Sequence, residues 1–81
     1  MKELLSYLAR SLVNNPDVVS VSEEPETDGF VQLTLLVHKD DMGHIIGKSG
    51  KIIRAIRDLV KVLAIKQGKR VKINVQEHLS P

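Results

Sequence analysis

One ten-residue stretch constrains the fold of this chain more than any other: Ile45-Ile46-Gly47-Lys48-Ser49-Gly50-Lys51-Ile52-Ile53-Arg54. Two glycines three positions apart stand between two apolar segments of helical spacing. Glycine lets a backbone turn tightly and lets a ligand come close to it. A helix starting after Gly50 offers free N–H groups and the positive end of its dipole to an anion. Cations begin at once, with Lys48, Lys51, Arg54 and Arg57.

The charge follows the loop. Residues 43–72 hold nine of the twelve Lys and Arg and one acid, Asp58, so they carry +8, whereas residues 1–42 carry −5. The formal net charge of +2 hides this polarity. Such a domain offers one face to polyanions and another that repels them. An ordinary solvated basic face would give the same counts. The glycine loop at the head of the basic segment favours a binding role.

Around the loop the 81 residues read as one domain, 1–81, without a linker or repeat. Leu4, Leu5, Leu8, Leu12 and Val13 make a helix over residues 2–14, which Asn14-Asn15-Pro16 ends. Val19 and Val21 alternate with serines as a strand, and Glu23 to Gly29 reads as a polar turn. Val31, Leu33, Leu35 and Val37 make Phe30 to His38 the clearest strand. Asp40 or Asp41 is placed to cap a short helix through Ile46. Lys51 to Lys66 form the longest helix, stopped at Gly68. Val71, Ile73 and Val75 alternate in a last strand, and residues 78–81 should fray. The order is α-β-β-α-α-β. It predicts an α+β fold, with a three-stranded sheet covered by helices on one face.

On a helical wheel Ile52, Ile56, Leu59 and Leu63 line the core-facing stripe of the long helix. Ile53, Val60 and Ala64 fall on a shoulder beside Arg57 and Lys61. The apolar arc is wider than a core stripe requires. Either a thin helical layer buries more of this helix than usual, or the shoulder is a groove wall or a subunit contact.

Several chemistries are excluded. There is no cysteine, and His38, His44 and His78 are scattered without metal-ligand spacing. No Ser/His/Asp or paired-carboxylate constellation appears, so neither an enzyme nor a cofactor is expected. Gly47-Lys48-Ser49 superficially suggests a nucleotide-binding P-loop, but that motif needs its first glycine where Met42 stands. No apolar run approaches the ~20 residues that span a bilayer. The N-terminus carries an early acid and no cleavage pattern, so neither a signal peptide nor membrane insertion is expected. Tyr7 and Phe30 are too few for a stacking platform of the RRM or OB type.

The element order, together with Asp41-Met42-Gly43-His44-Ile45-Ile46-Gly47-Lys48-Ser49-Gly50-Lys51, resembles the type II KH domain. The length and the helix-first start are similar to the small stand-alone bacterial KhpA family. The resemblance implies a cytoplasmic protein that binds single-stranded RNA, an RNA chaperone in post-transcriptional control linked to cell shape, envelope growth and cell wall biogenesis. It implies a homodimer, or a heterodimer with a larger KH-containing, KhpB-like protein. It also implies roles for residues. Gly47 and Gly50 let the loop run against the nucleic-acid backbone, and Lys48 and Ser49 at its tip meet phosphates. Ile46, Lys51, Ile53, Arg54 and Arg57 complete the nucleic-acid-binding set, with aliphatic walls holding bases. The opposing reading is a KH-fold interaction module that dimerises and binds little RNA of its own.

Overall fold

Val31, Leu33, Leu35 and Val37 are all buried and the residues between them half-buried, which marks Phe30–Val37 as a strand covered closely on one face. The computed structural model describes residues 1–78, with every side chain except those of Glu26 and Thr27. Its elements are α1 (Lys2–Leu12), β1 (Ser20–Thr27), β2 (Phe30–Val37), α2 (Met42–Ile46), α3 (Lys51–Lys66) and β3 (Arg70–Glu77). The sheet order is β1-β2-β3. β1 runs antiparallel to β2 and β3 parallel to it. A parallel pair needs a long crossover. Here α2, the glycine loop and α3 supply it, which fixes the loop at one end of the helical layer.

The core lies between that layer and one face of the sheet. Leu5 and Ala9 of α1, Ile45 of α2, and Ile53, Ile56, Val60 and Ala64 of α3 pack on the alternate valines, leucines and isoleucine of the strands. Four expectations are corrected. First, the buried stripe of α3 is Ile53, Ile56, Val60 and Ala64, whereas Leu59 and Val62 are 45% and 63% exposed. The supposed shoulder is thus the core, and the open shoulder is on the other side. Ile53, Ile56, Val60 and Ala64 face the pleated sheet, and Leu59 is turned toward the hollow beside α1. Second, β1 continues through Glu23, Glu24 and Pro25 to Thr27, where a polar turn was expected. It is an edge strand, so charge and proline are tolerated there, and its register shifts between Glu24 and Thr27. The turn is only Asp28-Gly29, both at positive φ, 54° and 80°, as tight hairpins prefer. Third, α1 stops at Leu12, and Val13 is already extended. Fourth, the His78 N–H donates to the Val37 carbonyl at 2.7 Å, so His78 is tied to the sheet. Residues 79–81 of the expected frayed end lie outside the described residues.

Candidate nucleic-acid interface

The loop between α2 and α3 is built from left-handed backbone. Gly47, Ser49 and Gly50 have φ of 76°, 57° and 73°. The two glycines are required for different reasons. A Cβ on Gly47 would lie 2.6 Å from Ile52 Cγ1 and 2.9 Å from its Cβ and Cδ1. A Cβ on Gly50 would meet only Arg54 Nε, at 4.0 Å, so there the dihedral alone asks for glycine. Ser49 holds this region without being a glycine, a conformation uncommon outside constrained sites. The Gly47 N–H donates to the Gly43 carbonyl at 2.9 Å and the Gly50 N–H to the Gly47 carbonyl at 3.1 Å. Lys48 and Ser49 stand exposed at the tip.

Arg54 folds back on this loop. Its Nε donates to the Gly50 carbonyl at 3.3 Å, and its guanidinium also donates to the Ser49 carbonyl. The contacts occupy loop acceptors and hold a positive charge beside the tip. At the head of α3 the Lys51 N–H donates to the Lys48 carbonyl. The first-turn N–H groups of a helix have no partner within it, and the dipole of a 16-residue helix adds positive potential there. A phosphate at the tip would therefore meet a cation, a hydroxyl and a helix N-terminus together.

Further along α3 the helix faces the outer edge of β3. The Arg57 guanidinium donates to the Ile73 carbonyl at 3.2 Å. Beside this contact lies a groove of about 280 Å³ lined by Arg57, Lys61, Val71, Lys72, Ile73 and Asn74. Buried Val71 and Ile73 give it an aliphatic floor, and exposed Arg57, Lys61 and Lys72 rim it with charge.

Of the expected residues, Gly47, Lys48, Ser49 and Gly50 form the loop, with Arg54 bracing it and Arg57 beyond. Ile46 is half-buried against the core. Ile53 is only 5% exposed and packs inward, so it anchors α3 rather than walling the groove. Lys51 leans the other way, into a hollow of about 330 Å³ between α1 and α3 with Leu8, Leu12, Ile52, Ala55, Ile56 and Leu59. The β3 side of the groove, Lys72 to Asn74, and Lys61 on α3 were missed. Lys61 lies one turn after Arg57, and Lys72 alternates with buried residues in β3. That pattern was available in the sequence, but the packing of α3 along the β3 edge was not.

Asp41 is the other residue with an unexpected role. It precedes α2 but makes no cap bond to it. Its side chain is fully buried, and its carboxylate accepts from the Asn14 and Asn15 N–H groups and from Asn15 Nδ2, each at 3.0 Å. Burial acts to raise its pKa. The three donors outweigh that, with His44 assisting, and hold the carboxyl below its ordinary range. Asp41 thereby pins the turn after α1 to the start of the loop-bearing helix pair. Among the described residues no group of three or more His, Cys, Asp or Glu is placed to hold a metal ion.

The family model for the KhpA/KhpB KH domain matches residues 2–75. The RNA-binding protein KhpA of Clostridium acetobutylicum is 45% identical over 75 residues, 93% of this chain and 99% of that protein. That of Halalkalibacterium halodurans is 41% identical, over 93% of this chain and 97% of that one. That of Listeria monocytogenes is 39% identical over 77 residues, 95% of this chain and all of that one. Two solved structures share the fold at 19% identity. They are Aquifex aeolicus Era bound to GDP and aluminium fluoride (TM-score 0.68), and Era in complex with MgGDPNP and nucleotides 1506–1542 of 16S ribosomal RNA (TM-score 0.69). Each match covers 99% of this chain, which spans 30% of the Era chain.

Proposed function

This chain belongs to the KhpA/KhpB KH-domain family, and from that premise we propose that it is a single KH domain that binds single-stranded RNA through the Gly47–Gly50 loop and the groove between α3 and β3. The observation that carries the proposal is the braced loop. Its backbone is held left-handed, its carbonyls are engaged by Arg54, and its exposed Lys48-Ser49 tip stands at the N-terminus of α3. Such a loop clamps the backbone of about four nucleotides. Arg57, Lys61 and Lys72 would draw the phosphates along the groove, while bases lie on Val71 and Ile73 and find hydrogen bonds at the β3 edge. With no aromatic in this groove, affinity rests on charge, and sequence selectivity is low. RNA in preference to DNA is supported by the relatives' printed name and by the ribosomal RNA bound to the structurally similar Era. The family is non-enzymatic. Replacing Lys48 and Ser49 by Asp tests the proposal, with RNA affinity as the readout.

A second surface favours assembly. Leu12 of α1 and Leu59 and Val62 of α3 are 40%, 45% and 63% exposed, and Leu12 and Leu59 line the hollow between the two helices. A small domain gains by covering such a patch. The partner is a second copy or a larger KH-containing, KhpB-like protein, and pairing would put two clamps on one RNA. Among the described residues no helix is long and apolar enough to cross a membrane. The cytoplasmic location, the RNA chaperone activity and the link to cell shape and envelope growth are proposed on the family resemblance alone.

A further inference from the structure

Phe30 lies on the sheet face opposite the helices. The ladder pairs Phe30 with Arg70 and Gln32 with Lys72, so these four residues share that face. Lys72 Nζ lies 4.6 Å from the centre of the Phe30 ring and the Arg70 guanidinium carbon 5.7 Å from it. The hollow around the ring, about 380 Å³, is lined by Glu24, Pro25, Asp28, Phe30, Gln32 and Lys72. Lys72 also lines the α3–β3 groove. One lysine at the free edge of β3 therefore joins the groove on one side of the sheet to an aromatic ring on the other.

We propose that the hollow at Phe30 is a second nucleotide site, which takes one base of the RNA that leaves the α3–β3 groove over the edge of β3. The inference rests on the groove reading above. The chemistry fits a base better than a further phosphate. Phe30 offers a face for stacking, and Arg70 a second planar group that stacks on bases. Lys72 swings from the ring to the phosphate between the two sites, exchanging a cation–π contact for a charge pair. Glu24 and Asp28 disfavour an isolated phosphate, but they accept hydrogen bonds from exocyclic amino groups such as that of cytosine. The same acids make the hollow a poor seat for an anionic membrane or an acidic peptide.

The experiment compares four- and ten-nucleotide oligoadenylate and oligocytidylate on wild-type protein, Phe30→Leu, Phe30→Tyr, and the Lys48→Asp/Ser49→Asp variant. Phe30→Leu keeps apolar bulk and removes the ring. It should weaken the ten-nucleotide RNAs at least threefold and leave the four-nucleotide RNAs within twofold, while Phe30→Tyr behaves as wild type. A 2-aminopurine in the longer RNA should be quenched by the wild type and not by Phe30→Leu. Equal effects of Phe30→Leu on both lengths, no effect on either, or a wild type that binds the longer RNA no more tightly would overturn the site. Unchanged binding by the loop-tip variant would overturn the groove reading instead.

Discussion

The Arg57 guanidinium reaches across to the Ile73 carbonyl at 3.2 Å and ties α3 to the outer edge of β3. One side chain thus sets the width of the groove and supplies part of its charge. Arg57→Met should weaken binding of a short single-stranded RNA about fivefold and reduce the log–log salt slope by about 0.7, one phosphate contact on a single strand. An unchanged salt slope would mean that Arg57 meets no phosphate.

The two loop glycines should not be equivalent. Gly47→Ala would drive its Cβ into Ile52 as well as straining the backbone. It should cost about 2–4 kcal/mol in urea unfolding. Gly50→Ala has room for the Cβ and should cost about 1 kcal/mol, from the dihedral alone. Equal losses would show that the Ile52 contact does not set the loop.

Asp41 should make stability acid-sensitive. Its folded pKa lies below that of a free carboxylate. As pH falls, the unfolded chain takes up the proton first. The contribution of Asp41 is therefore complete above the unfolded pKa, near 3.8, and is lost as pH falls through the lower folded value. Asp41→Ala should unfold at clearly lower urea than wild type at pH 7, and should lose less of its remaining stability on acidification. A variant with the wild-type acid profile would remove Asp41 from that account.

Two valines two positions apart on α3 separate the core from the proposed contact surface. Val60 is fully buried and Val62 is 63% exposed. Val60→Asp should leave no folded protein, because a lone carboxylate cannot be buried cheaply. Val62→Asp should fold and sediment at half the mass of the wild type at micromolar concentration. A folded Val60→Asp, or a Val62→Asp that keeps the wild-type mass, would contradict the arrangement.

The sequence showed those features that local chemistry decides. Gly47 to Gly50 announced the loop, the alternation from Val31 to Val37 announced the central strand, and Gly68 the end of α3. What was hidden depended on packing between distant segments. The apolar arc of α3 includes both Ile53 and Leu59, and only the sheet decides which turns inward. Asp41 was legible as a residue at a helix start, yet its donors lie 26 and 27 positions away on Asn15 and Asn14. Glu23 to Pro25 have the composition of a turn, and the pairing of Glu23 with Leu33 and Glu24 with Gln32 of β2 keeps the chain in a strand there.

The most direct measurement is the affinity of the Lys48→Asp/Ser49→Asp variant for a short single-stranded RNA, by fluorescence anisotropy at fixed salt, with circular dichroism to show that it folds. Both side chains are exposed, and the glycines that shape the loop are untouched. The account predicts a loss of at least about tenfold, or about 1.4 kcal/mol, and a wild-type log–log salt slope of roughly −1.5 to −3, for two to four phosphates. A folded double variant that binds RNA as tightly as the wild type would contradict it.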